Sequence, residues 1–133
     1  MKSKLTRSQE QVFELLQEQK EEISAQELYT QLRANNHQIG LATIYRVLKA
    51  MHIRGLIQAR TSADGELLYT IAGKERHHLT CINCGVSQPI PHACPVGRLE
   101  EELRQTKKFD VYYHTLEFFG LCSLCSQEIK TSS

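Results

Sequence analysis

Leu41-Ala42-Thr43-Ile44-Tyr45-Arg46-Val47-Leu48-Lys49-Ala50-Met51 is the stretch on which the fold of the N-terminal half turns. Ile44, Val47, Leu48 and Met51 recur at i, i+3, i+4 and i+7, so a helix here buries them along one stripe. Ala42, Tyr45, Arg46 and Lys49 then face outward. Upstream, Ser24 with Glu27 forms a capping box ahead of a helix that carries Leu28 and Leu32 on one face and ends at Asn35-Asn36. Further back, Ser8 with Gln11 has the same form and precedes Val12, Phe13, Leu15 and Leu16 at helical spacing. Downstream, Leu56–Arg60 and Leu67–Ile71 read as strands joined through an Asp64-Gly65 turn. Three helices followed by a two-stranded hairpin is the element order of a winged helix.

The composition changes near residue 73. Residues 1–72 contain no cysteine, while residues 73–133 contain all five cysteines and four of the six histidines. Two small domains are expected, at 1–72 and 77–133, with 73–76 as the hinge. The chain has 133 residues, too few for a large enzyme core. Charged residues make up 23 % and the net charge is +1, so the composition is that of an ordinary globular protein and no global field announces a partner. No apolar run approaches membrane-spanning length, and the polar N-terminus lacks the apolar stretch of a signal peptide. A soluble, cytoplasmic protein is expected.

In the second domain His77–Ile82 reads as a strand, Pro95 as the start of a helix with Leu99 and Leu103, and Phe109–Phe119 as a strand. Lys130–Ser133 reads as a frayed tail. Cys81/Cys84 and Cys122/Cys125 are two C-x-x-C pairs. In a reducing compartment such pairs read as metal ligands, and four thiolates complete a closed tetrahedral zinc site. Thioredoxin-like chemistry wants one such pair in a βαβ unit, and no such unit is evident. Since the segment between the pairs must fold back, the metal would tie together distant parts of a small domain.

The outward face of the Leu41–Met51 helix suits the major groove of double-stranded DNA. Arg46 can fork onto a guanine edge, and Tyr45 can cover a thymine methyl. Thr43 and Lys49 are candidates for phosphates, with Lys4, Arg7 and Arg60 adding backbone or minor-groove contacts. The same residues also suit a solvated helix face. Residues 1–72 hold nine Lys and Arg against eight Asp and Glu, so charge does not decide between the two. His37 and His52 read as surface residues of this domain.

Four segments in order resemble the ferric uptake regulator family: Gly40 to Leu48, Gly55-Leu56-Ile57, His77 to Gly85, and His114 to Cys122. The resemblance implies an α+β protein, with an N-terminal winged-helix domain followed by a small α/β dimerisation domain that carries a four-cysteine zinc site. It implies a homodimer that binds an AT-rich inverted-repeat operator when a regulatory metal is loaded, with Tyr45 and Arg46 touching bases. The histidine- and acid-rich run that the family's iron and peroxide sensors carry before the first cysteine pair is partly replaced here by Glu75-Arg76, leaving only His77 and His78. Pro89 and Gly97 stand where further acids are usual, whereas His92 and Cys94 are extra. Thiolate with imidazole selects a softer metal than iron(II). The chain is therefore most similar to the zinc uptake regulator branch. A bacterial repressor of zinc homeostasis genes is expected, with one structural and at least one regulatory zinc per monomer. The alternative is a family sensor of iron, manganese, nickel or peroxide and thiol oxidation.

His77 and His78 are neighbours on a strand and face opposite ways, so one ion cannot comfortably take both. The preferred regulatory set is His77, His92, Cys94 and His114, the family position of His114 pairing with that of His77. His78 is the rival at the hinge, with Glu22, Asp64 and Glu66 as possible partners. Taken singly, Cys94 also reads as a small buried apolar residue and His114 as a core histidine. Two potential ligands two apart among prolines favour ligation. An enzyme is not expected: a zinc deaminase needs H-x-E ahead of P-C-x-x-C, and neither part is present. Neither a membrane nor a small organic substrate is an expected partner.

Overall fold

Thr6 opens the first helix. Its hydroxyl accepts from the Gln9 N–H at 3.2 Å, and the Gln9 side chain accepts from the Thr6 N–H at 3.0 Å, so α1 runs Arg7–Glu18. The capping box expected at Ser8 and Gln11 therefore lies two residues earlier, where Thr6 holds the extended backbone an N-cap needs. The structure, a computed structural model, describes residues 5–73, 77–90 and 93–131. Lys4, His92 and hinge residues 74–76 fall outside the described residues. The chain divides into two units, Met1–Lys74 and Glu75–Ser133.

In unit 1 a short strand, β1 (Ile23–Ser24), leads into α2 (Ala25–Ala34), with the Ser24 hydroxyl accepting from the Glu27 N–H. Asn36 ends α2 in the left-handed region, at φ 65°. Its N–H bonds the Arg33 carbonyl and that of His37 bonds the Leu32 carbonyl, the pattern that satisfies the last carbonyls of a helix. Helix α3 (Leu41–Ile53) ends in the same way on Gly55, at φ 75°, with Leu56 N–H on Met51 and Gly55 N–H on His52. This sharp stop starts β2 (Ile57–Thr61), which pairs antiparallel with β3 (Leu67–Ile71) around Gly65. The sheet order is β1-β3-β2.

The four apolar α3 positions all point inward, and Ile44, Leu48 and Met51 are fully buried with Val12, Leu28 and Ile57. One contiguous apolar core, from Val12 to Tyr69, holds this unit together. Leu48→Ala should lower its unfolding free energy by about 2–5 kcal/mol, the range for a buried leucine that leaves a cavity. Urea denaturation checks this.

Unit 2 has a second sheet. Its central strand β4 (His77–Cys81) pairs antiparallel with β5 (Ser87–Ile90) and parallel with β6 (Leu116–Gly120). Helix α4 (Gly97–Thr106) crosses between β5 and β6, and α5 (Ser123–Thr131) follows. Helix α4 starts two residues after Pro95. The strand expected over Phe109–Phe119 is shortened to β6 at Leu116–Gly120, whose first residue pairs with His77, the first residue of β4. Of the tail expected over Lys130–Ser133, Lys130 and Thr131 belong to the last turn of α5, and residues 132 and 133 lie outside the described residues. Among the described residues, the side chains buried here are polar or sulfur-bearing: His77, His78, Thr80, Cys81 and Cys125. No helix among the described residues is long and apolar enough to cross a membrane.

Candidate metal centres and a candidate nucleic-acid interface

The chain turns back after β4. Cys81 N–H bonds the Val86 carbonyl and Gly85 N–H bonds the Cys81 carbonyl, with Gly85 at φ 82° closing the turn. This knuckle carries Cys81 and Cys84. The other pair brackets the start of α5, where Cys125 N–H points at the Cys122 sulfur at 3.5 Å. All four sulfurs lie within 4.8 Å of one another. Zn–S bonds of about 2.3 Å in a tetrahedron put sulfurs about 3.8 Å apart. Cys84 Sγ and Cys122 Sγ are 3.9 Å apart, so the four thiols fit that ion. Backbone N–H groups of Cys122 and Cys84 donate to Cys81 and pull its thiol down to about 6. The Asn83 amide, 3.3 Å from Cys125 Sγ, lowers that thiol, but the neighbouring sulfurs outweigh it and push Cys125 up to about 12. Crowded sulfurs cannot all ionise without a cation among them.

A second cluster gathers His77, Cys94 and His114, whose ligand atoms also lie within 4.8 Å. His77 comes from β4, Cys94 from the loop before α4, and His114 from the segment before β6. Nε2 of His114 is 3.2 Å from His77 Nε2 and 3.1 Å from Cys94 Sγ. A tetrahedral zinc with bonds of about 2.0–2.3 Å sets such edges at about 3.3–3.6 Å. The two imidazoles stack, with ring centroids 5.4 Å apart. Cys94 is exposed and His114 only half-buried, so neither is the core residue that each also resembled in isolation. His92, the fourth expected member, lies outside the described residues.

His78 is buried and does not belong to this cluster. Glu22 lies in unit 1, where Arg60 Nε and Nη2 grip its carboxylate at 2.8 and 2.7 Å. Asp64 accepts from the Ser62 hydroxyl in the β2–β3 turn, which lowers its pKa. The Glu66 backbone closes that same turn, its N–H donating to Ser62 Oγ. Sequence reading missed Glu100, whose Oε2 is 2.5 Å from Nδ1 of His114. Burial, the largest influence, pushes Glu100 up, yet hydrogen bonds to His114 and Arg104 together hold its carboxyl below the usual range.

On α3, Tyr45, Arg46 and Lys49 are exposed and Thr43 is half-buried; Arg46 Nη2 donates to Thr43 Oγ1 at 3.1 Å. Arg7 is exposed at the start of α1. Arg60 differs from expectation. Its side chain is 9 % exposed and clamped to Glu22, itself 14 % exposed, instead of reaching outward toward a phosphate. Arg60→Ala should destabilise unit 1 by about 1–3 kcal/mol, because the partly buried Glu22 carboxylate loses the two charged hydrogen bonds that Arg60 donates to it. The check is urea denaturation followed by NMR signals of unit 1. An unchanged midpoint would mean that Glu22 simply rehydrates.

The sequence profile of the ferric uptake regulator family matches residues 1–119. The zinc uptake regulation protein of Mycobacterium tuberculosis is 34% identical over 121 residues, 90% of this chain and 92% of that protein. The ferric uptake regulation protein of Bacillus subtilis is 30% identical over 92% of this chain and 85% of that one. The solved ferric uptake regulator of Vibrio cholerae superposes with a TM-score of 0.61 at 27% identity, covering 90% of this chain and 92% of that chain. A profile match over most of the sequence, with such relatives spanning nearly its whole length, places the chain in the ferric uptake regulator family: it is a metal-responsive transcription regulator and not an enzyme.

Proposed function

We propose that this chain is a zinc-responsive regulator, mainly a repressor of zinc homeostasis genes. In this reading it binds an AT-rich inverted repeat as a metal-loaded homodimer in the bacterial cytoplasm. The convergence of His77, Cys94 and His114 carries the choice of metal. Two imidazoles and a thiolate favour zinc over iron(II), which prefers carboxylate-rich ligation. Cys81, Cys84, Cys122 and Cys125 hold the structural zinc. In this assignment, residues 1–72 are the DNA-binding domain and 77–133 the dimerisation domain. Tyr45 and Arg46 read bases, and Thr43, Lys49, Arg7 and Lys4 serve phosphates.

The dimer is supported by apolar surface on unit 2. Leu79, Ile82, Phe118, Phe119 and Leu121 are all exposed, more than an isolated small unit should leave to water. The switch is supported by the origin of the ligands. They come from three separate segments of unit 2, so filling the site fixes those segments against one another. Metal and DNA must then raise each other's affinity by the same factor.

The test is zinc content before and after a moderate chelator, with DNA binding measured in both states. Two zinc ions per chain, one removable with loss of DNA affinity, support the proposal. One zinc, with DNA binding restored by ferrous iron or manganese instead, overturns it.

A further inference from the structure

Glu100 sits in the first turn of α4, on the far side of the His114 ring from the cluster. Its two oxygens have separate tasks. Oε2 meets Nδ1 of His114 at 2.5 Å, and Oε1 accepts from Arg104 Nη2 at 2.8 Å. Arg104 is fixed in turn. Its Nε donates to the Val111 carbonyl at 2.8 Å and its Nη1 to Glu101 at 2.8 Å. One chain of bonds thus runs from the Val111 backbone through Arg104 and Glu100 to His114. Nε2 of His114 is the nitrogen that faces Cys94 and His77.

An imidazole binds a metal through a nitrogen whose lone pair is free. A carboxylate on Nδ1 makes that nitrogen the protonated one and leaves Nε2 bare. We propose that Glu100 is a positioning residue for the regulatory metal: it holds His114 in the Nδ1–H tautomer, with Nε2 aimed at Cys94 and His77, and Arg104 holds Glu100. This rests on the zinc-sensor reading and extends it to a residue outside the ligand set. Glu100 is not a ligand itself, since Oε2 lies on the ring edge opposite the cluster and Oε1 is engaged by Arg104. Of the neighbouring acids, Glu101 is taken by Arg104 and is exposed.

The experiment compares the full chain with Glu100→Ala, Glu100→Gln and Arg104→Met. Zinc competition gives affinity, bound cobalt(II) gives coordination, and histidine ring ¹⁵N shifts of the metal-free chain give tautomers. Glu100→Ala should weaken the removable zinc by about 10- to 100-fold, the usual cost of losing such a partner. Stoichiometry and the cobalt spectrum should not change, and His114 should become a mixture of tautomers. Glu100→Gln keeps an acceptor for Nδ1–H and should recover most of the affinity; Arg104→Met should fall between. Unchanged affinity and tautomer in Glu100→Ala overturn the proposal, leaving Glu100 as a helix anchor only. A cobalt spectrum altered in Glu100→Gln overturns it in favour of direct ligation. A wild-type chain that takes one zinc fails the zinc-sensor reading instead. The tautomer comparison, made without metal, still decides the role of Glu100.

Discussion

Cys84→Ser is expected to unfold unit 2 and leave unit 1 intact. The apolar core runs from Val12 to Tyr69 and lies wholly in unit 1. In unit 2 the side chains that the sheet and α5 bury are His77, His78, Thr80, Cys81 and Cys125, which offer little hydrophobic gain. The four thiols join the β4 turn to the start of α5. Structural zinc bound to such ligands contributes about 10–16 kcal/mol, more than the whole stability of a small unit. Losing one sulfur removes most of that and leaves three crowded thiols. Zinc content and a backbone NMR spectrum check it. Signals of Leu41–Ile53 should keep their dispersion while those of His77–Cys81 and Leu116–Gly120 collapse. A variant that keeps both sheets dispersed would show that the metal is not what holds unit 2 together.

The second large effect belongs to Cys94. Cys94→Ser should lose the removable zinc, keep the structural one, and bind operator DNA no better than the zinc-stripped wild type. Coupling of this kind is typically about 5- to 150-fold in affinity. The reason is local: the sulfur lies 3.1 Å from His114 Nε2 and is the only thiolate donor in that cluster among the described residues. Two imidazoles alone hold a first-row ion weakly and discriminate less among metals. Zinc counting and fluorescence anisotropy on labelled duplex give both readouts. Two zinc ions retained with unchanged DNA affinity would sink the assignment of Cys94 as a ligand.

Unit 1 was largely legible because each of its signals is local. Ile44, Val47, Leu48 and Met51 repeat at helical spacing and are buried on that spacing. Asn36 and Gly55 take the left-handed turns that end α2 and α3, a task few residues perform without strain. The cysteine pairs were legible for a different reason: their spacing is itself the chemistry. Strand β1 was not, since two residues carry no period. Strand β5 was hidden by Ser87, Gln88 and Pro89, a composition that reads as loop. An edge strand tolerates it, and β5 is the edge of its sheet. Helix α5 was masked by its own cysteines, because the i, i+3 spacing of a metal knuckle is also that of a helix turn. Glu100 lies in the run Glu100-Glu101-Glu102, and no feature of sequence marks which acid will meet His114. Only the approach of α4 to the segment before β6 decides it. Arg60 misled because a basic residue on a wing suggests phosphate, while its partner Glu22 is distant in sequence and adjacent in space.

The parallel pairing of β4 with β6 has a consequence during translation. A ribosome adds Cys122 38 residues after Cys84. At about 5–20 residues per second, the first sulfur pair waits about 2–8 s before its partners exist. Strand β4 lacks β6 through the same interval, because His77–Cys81 pairs with Leu116–Gly120. Unit 1 has every core residue by Tyr69 and can fold on the nascent chain. Each newly made molecule therefore passes through a stage with a finished N-terminal unit and an open thiol pair, and an ion that takes all four thiols can be captured only once Cys125 has been made.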